Sequence, residues 1–138
     1  MDITNQVIQL CIEGMKAEGR DDPQQALKCF MQAWDIHEDE YEACISAHYI
    51  ARHQSNLYDA LHWNQLALNY AKSINDTRVK DFFPSLYLHL GKSYEDLGNT
   101  DTAKKYYKLA NDNLDDISGE SYKKLIHRGI VFAQKRVN

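Results

Sequence analysis

The feature that most limits the fold of this chain is a threefold repetition of small residues. Gly14 is followed by alanines 12 and 19 residues later, and the same spacing recurs from His48 and from Gly91. The alanines concerned are Ala26 and Ala33, Ala60 and Ala67, and Ala103 and Ala110. Small residues at regular spacing let two helices approach closely. We therefore expect the chain to build one type of helical hairpin three times.

A helix-starting residue precedes the second helix of each predicted hairpin. Asp22, Asn56 and Asn99 occupy the same place in the three units, and all three are good N-cap residues. Pro23 follows Asp22 at the favoured first helical position. The only other proline is Pro84, so the chain lacks the frequent turn signals of an all-β sandwich. An all-α fold is predicted.

The repeat also predicts how the whole chain is organised. One hairpin cannot bury its apolar face alone, whereas stacked hairpins can, and this favours a single α-solenoid domain over residues 1–138. The second hairpin should be extended, because Ala60 and Ala103 are 43 residues apart and the first two units are 34 apart. A turn is expected at Asn75-Asp76 after a lengthened helix. The seven predicted helices fall in repeat 1 (about 7–40), repeat 2 (about 41–83), repeat 3 (about 84–117) and a capping helix (about 118–138).

The predicted capping helix combines an apolar side with basic residues. Residues 118–138 carry a net charge of +4, whereas residues 1–60 carry −7. These opposite charges suggest head-to-tail homo-oligomers as a hypothesis, although exposed charges contribute little individually. The apolar residues at helical spacing, expected to cover the third hairpin, are Tyr122, Leu125, Ile126, Gly129, Ile130, Ala133 and Val137.

The third unit contains the most specific sequence pattern, which is Tyr87, Leu90, Gly91, Tyr94, Ala103, Tyr107 and Ala110. This pattern resembles the tetratricopeptide repeat (TPR) family, whose period is about 34 residues. The second unit departs from the family pattern at Cys44, His48 and Asn64. The whole chain is also similar to short uncharacterised bacterial TPR proteins, through residues 47–54 and 63–68. The resemblance implies a right-handed solenoid of three TPR hairpins with a C-terminal capping helix.

The resemblance further implies a concave groove made by the first helix of each hairpin. The expected function is a non-catalytic adaptor or scaffold that binds a protein or peptide segment in this groove. The alternative is that the capping helix, through Ile126 and Ile130, fills the groove. The predicted groove residues are Ile8, Cys11, Met15, Ile45, Tyr49, Arg52, Leu88, His89 and Lys92.

The polar departures in the second unit support an alternative function. His48 replaces a small residue and Asn64 an aromatic one, so the two are expected to meet inside the hairpin. A buried pair must be hydrogen-bonded, because an unsatisfied polar group costs about 1–3 kcal/mol. One interpretation is a structural His–Asn hydrogen bond. The other is a small-ligand sensor or enzyme with a polar pocket lined by His48, His53, Trp63 and Asn64.

No cofactor, metal or nucleic-acid site is expected. The three cysteines lack CxxC spacing, and His48 and His53 are five residues apart, which does not fit a helical metal motif. There is no glycine-rich strand-to-helix loop of the kind a methyltransferase-type cofactor would need. The net charge of −4 does not suit phosphate binding. Apolar runs stop at about four residues, so no membrane contact and a cytoplasmic location are expected.

Overall fold

The computed structural model describes residues 4–75 and 77–138, and the regular elements in these ranges are all helical. The predicted all-α fold is confirmed. The helices are α1 (Gln6–Gly19), α2 (Pro23–Ile36), α3 (Glu40–Ala51), α4 (Leu57–Ser73), α5 (Thr77–Lys80), α6 (Phe83–Asp96), α7 (Thr100–Asp112) and α8 (Glu120–Val137), with a 3-10 turn at Leu114–Asp116. No described helix is both long and apolar enough to cross a membrane.

The helices pair as the repeat predicts, α1 with α2, α3 with α4 and α6 with α7. The second helix of each pair begins at its predicted N-cap. Asp22 accepts a hydrogen bond from the Gln25 backbone N–H, and Asn99 accepts one from Thr102. Asn56 caps α4 by accepting from two backbone N–H groups. The local signals at the three turns are therefore sufficient to start these helices.

The insertion between the second and third hairpins differs from the prediction in one respect. The lengthened helix exists, because α4 has 17 residues and α2 has 14. The prediction of seven helices is wrong, since a separate helix, α5, follows α4 and buries Val79. Asp76, half of the predicted turn, lies outside the described residues. Four residues around one buried valine give too short a pattern for helical periodicity to reveal.

The chain divides into two compact units, Met1–Ile74 and Asn75–Asn138. In the first unit the α1–α2 hairpin closes on a glycine–aromatic contact. Phe30 is fully buried, and its ring fills the space where a side chain on Gly14 would lie. Helix α3 then packs against both α1 and α2. The assignment of residues 1–138 to a single domain stays a prediction.

The second unit repeats this construction with other residues. The ring of Tyr107 fills the space beside Gly91, as Phe30 does beside Gly14. Helix α8 packs on α6 and α7, as α3 packs on α1 and α2. The Tyr107 hydroxyl donates a hydrogen bond of 2.7 Å to Glu95, so this core aromatic also serves a polar contact.

Helix α8 covers the second unit with only part of its predicted apolar side. Ile126 and Ile130 are buried with Ala110 and Ile117, and Leu88 packs against the same cluster. Helix α8 therefore covers Leu88, one of the predicted groove residues. Leu125, which was expected to be covered, is exposed, and so is Tyr122. The apolar stripe is wider than the surface that α6 and α7 offer.

Glu95 links α6 to α8 and makes the stability of the second unit sensitive to acid. Its carboxylate accepts hydrogen bonds of 2.9 and 3.2 Å from Arg136 and one from Tyr107. Burial by itself would raise the pKa of Glu95, but the Arg136 and Tyr107 hydrogen bonds and the charges of Arg136 and Lys92 outweigh it, so the pKa is lowered.

We expect the free energy of unfolding of Glu95→Gln to decrease less steeply at acidic pH than that of the unaltered chain. A carboxyl with a lowered folded pKa stabilises the fold above its unfolded value of about 4.3, and this contribution is lost as the pH falls through the folded pKa. Urea unfolding between neutral and acidic pH measures it. Arg136→Gln should have the same effect, whereas Arg128→Gln, at an exposed arginine of the same helix, should not. An unchanged pH dependence in Glu95→Gln would contradict the assignment.

Candidate functional site

The predicted site residues come together most closely on the first unit, on a surface made by the C-terminal halves of α1 and α3. We call this surface the α1–α3 face. Arg52 and His53 follow the end of α3, and both contact Glu18 of α1. Met15 lies one helical turn before Glu18 and is half-buried. The α1–α3 face consists of Met15, Glu18, Tyr49, Arg52 and His53.

Glu18 organises the polar part of this face. One carboxylate oxygen accepts a hydrogen bond from Arg52 Nη2, and the other lies 2.6 Å from His53 Nε2. The three side chains are only partly exposed, so their geometry is better fixed than that of a freely solvated surface pair. A guanidinium carries five N–H donors, more than Glu18 can accept. Arg52 can therefore also donate to an acceptor on a ligand.

Tyr49 forms the aromatic part of the face. Its ring stacks on Phe30 with centroids 5.0 Å apart, and the Arg52 guanidinium carbon lies 4.7 Å from its centroid. The His48 ring also packs against it in an edge-to-face arrangement, with ring centroids 5.2 Å apart. Tyr49 stays half-buried under these contacts. The result is a fixed aromatic side chain next to a guanidinium, a combination common at protein interfaces.

Three predicted groove residues do not belong to an accessible surface. Ile8, Cys11 and Ile45 are buried core residues. Helices α1 and α3 pack against each other, and helical spacing alone cannot show which residues their crossing covers. Burial raises the pKa of the Cys11 thiol to about 12, with a smaller contribution from the neighbouring Cys29. Burial also raises the pKa of Cys44 to about 12.

The remaining predicted groove residues lie on α6 of the second unit. Leu88 packs beneath α8, and its side chain approaches the position where Gly129 would carry a Cβ, at 3.1 Å. His89 Nδ1 donates a 2.7 Å hydrogen bond to the Ser85 carbonyl. Lys92 is exposed and forms an ion pair with Asp96 one turn later. Each has a local role within α6 and α8.

The residues of the predicted polar pocket are divided between two side-chain clusters. His48 is buried beside Tyr49, and His53 stacks on Phe30. Trp63 instead meets the ring of Trp34 edge-on at 5.1 Å. Asn64 is buried, as predicted for the hairpin interior. A direct His48–Asn64 hydrogen bond stays a prediction.

A cavity of about 190 Å³ lies at the beginning of α1 and α3. Its lining residues are Asn5, Gln6, Val7, Ile36, Glu38 and Glu42. The Glu42 carboxylate accepts hydrogen bonds from the Asn5 side chain and from the Glu38 backbone N–H, at 2.8 and 2.9 Å. These bonds fix the start of α3, so the polar lining has a structural role. Among the described residues, no group of His, Cys, Asp and Glu is arranged to hold a metal ion.

Phe30 was absent from the predicted site, whereas Glu18 lies at a place that the TPR resemblance assigns to the ligand-facing surface. A signal for Glu18 exists in the sequence, because Glu18 and Arg52 are separated by one repeat length of 34 residues and have opposite charges. Residues one repeat apart occupy the same place on neighbouring first helices, where a glutamate and an arginine can pair. Phe30 occupies the same place in the first repeat as Tyr107 in the third, four residues after the first alanine, but its role as the support of Tyr49 follows only from three-dimensional packing.

Comparisons of the chain with protein-family models, with curated proteins and with solved structures give no match. The candidate site therefore rests on its own geometry.

Proposed function

We propose that this chain is a TPR-like repeat protein that binds a segment of another protein on the α1–α3 face. The supporting observation is the stack of Phe30, Tyr49 and the Arg52 guanidinium, which holds an aromatic ring and a cation at the surface. A pre-ordered aromatic and guanidinium lose little conformational entropy on binding. The bound segment would place an apolar side chain against Met15 and Tyr49, and a carboxylate or backbone carbonyl near Arg52.

The internal repetition supports the TPR part of the proposal. The contacts of Gly14 with Phe30 and of Gly91 with Tyr107 are equivalent, as a repeated hairpin requires. A right-handed solenoid of three hairpins with α8 as its cap is the corresponding architecture. A binding module of this type works as an adaptor, without a catalytic residue or a cofactor.

Photo-crosslinking from Met15 tests the proposed binding surface. A photoreactive amino acid at position 15 is expected to give a discrete set of adducts in cells that contain the protein. The same amino acid at Tyr58, which is 72% exposed on α4, serves as the matched control. Mass spectrometry of the adducts should identify one recurring segment at position 15 and not at position 58.

Arg52→Gln provides the second control, because it removes the guanidinium and its charge and leaves a neutral polar side chain. We expect it to abolish the adducts at position 15 while the helical circular dichroism signal is kept. Identical adducts at positions 15 and 58, or adducts unaffected by Arg52→Gln, would refute binding on this face.

A further inference from the structure

The outer side of α8 carries two large apolar residues that the fold leaves exposed. Leu125 is 61% exposed and Phe132 is 57% exposed. They are seven residues apart, which is two helical turns, so they lie on the same side of the helix. An exposed leucine alone needs no explanation, but two such residues aligned on one helix form a small apolar stripe.

The repeat indicates what belongs on this stripe. Helix α8 packs on the α6–α7 hairpin as α3 packs on the α1–α2 hairpin, and in both cases an arginine near the end of the added helix binds a glutamate of the hairpin: Arg136 binds Glu95, and Arg52 binds Glu18. Arg136 lies 84 residues after Arg52, and two further pairs at this offset pack alike: the α8 residues on the cluster that contains Tyr107, and the α3-side residues on Phe30. These pairs are Ala133 with Tyr49 and Val137 with His53.

In α1 and α6, the residue four positions before the arginine-bound glutamate faces the second helix of the same hairpin. In α1 this residue is Gly14, which contacts α2, and in α6 it is Gly91, which contacts α7. The same offset from the two glutamate-bound arginines, Arg52 and Arg136, leads to His48 in α3 and to Phe132 in α8. His48 is buried in a unit where α4 packs on α3, whereas Phe132 is exposed. The exposed stripe of α8 is therefore the side on which a hairpin partner would pack.

The charges beside the stripe limit the chemistry of that partner. Lys124, Arg128 and Lys135 are exposed on the same half of α8, and the Lys135 ammonium lies 6.0 Å from the Phe132 ring centroid. A second copy binding through the same helix would place these cations against each other, which is unfavourable. A helix with acidic residues beside an apolar stripe complements both properties.

We propose that the exposed side of α8 is a docking site for an acidic amphipathic helix of another protein, which packs on α8 as α4 packs on α3. Leu125 and Phe132 insert between the apolar residues of that helix. Arg128 and the two lysines pair with its flanking carboxylates. The site uses none of the residues of the α1–α3 face, so the variants that test one surface leave the residues of the other unchanged.

Fluorescence anisotropy with a synthetic peptide tests the site. The probe is a labelled helical peptide with leucines on one side and glutamates beside them, and its comparison is the same peptide with lysines in place of the glutamates. The acidic peptide should bind the full chain and the basic one should not. Binding should weaken as salt is added, since the screening length shrinks to about 3 Å at 1 M.

Exposed-residue variants locate the binding. The double variant Leu125→Ser/Phe132→Ser should bind the acidic peptide about tenfold or more weakly, because both apolar contacts are lost. Arg128→Gln should weaken it less and reduce its salt dependence. Tyr58→Ser, at a similarly exposed aromatic on α4, is the matched control and should bind normally. Thermal unfolding should be nearly unchanged in all of them, because each residue is exposed.

Three outcomes would overturn the proposal. The first is unchanged affinity of the acidic peptide for Leu125→Ser/Phe132→Ser, and the second is equal binding of the basic peptide. The third is that the stripe binds another occupant. This occupant would be a second copy if sedimentation shows a dimer that Phe132→Ser dissociates. It would be a membrane if the peptide does not bind and phosphatidylserine vesicles bind in a way that Leu125→Ser/Phe132→Ser abolishes.

Discussion

Gly14→Ala is expected to destabilise the first unit by about 1–3 kcal/mol, although alanine is the better helix former. A Cβ on residue 14 would overlap the Phe30 ring, which is fully buried and has no space to retreat. Chemical denaturation followed by tryptophan fluorescence measures the change, because Trp34 and Trp63 both lie in the first unit.

Gly19→Ala is the matched control on the same helix. A Cβ at position 19 meets nothing within 4 Å, so this change should be neutral or stabilising by up to about 1 kcal/mol. The double variant Gly14→Ala/Phe30→Leu should lose less stability than the two single changes together, because leucine lacks the ring atoms that overlap. If Gly14→Ala stabilised the chain as Gly19→Ala does, the close packing of α1 on α2 would be disproved.

The largest expected effect in the second unit is that of Tyr107→Ala, a loss of about 3–5 kcal/mol. The change empties the space beside Gly91 and removes a hydrogen-bond donor from Glu95. Faster amide hydrogen exchange across α6, α7 and α8 would measure this loss of stability in the second unit.

Tyr107→Phe separates the two causes of that loss. It keeps the ring and removes only the hydrogen bond to the carboxylate, so it should cost about 1.5–3 kcal/mol. Leu109→Ala, on the exposed side of α7, is the control and should stay within about 0.5 kcal/mol. Equal losses for Tyr107→Ala and Leu109→Ala would show that Tyr107 is not a core residue of this unit.

The hairpins could be predicted from the sequence because their signals are local and repeated. Asp22, Asn56 and Asn99 cap helices at the predicted turns, since an N-cap bonds to backbone groups two or three residues away. The contact of Gly91 with Tyr107 follows from a spacing within one hairpin. These features depend on helix geometry, which is the same in every protein.

The site was harder to predict because it depends on contacts between hairpins. Glu18 and His53 are 35 residues apart, and only the crossing of α1 with α3 brings them to 2.6 Å. The same crossing buries Ile8, which an idealised repeat places on the groove surface. Likewise, helical periodicity placed Leu125 on the apolar side of α8, but the width of the surface below α8 decides which residues are covered.

The buried cysteines have a consequence for the redox chemistry of the protein. Thiol oxidation and alkylation proceed through the thiolate, and burial suppresses the thiolates of Cys11 and Cys44 by raising their pKa to about 12. All three cysteines lie in the first unit and are buried there. Their sulfurs are thus protected from peroxide and disulfide exchange while this unit is folded, and they become vulnerable when it opens.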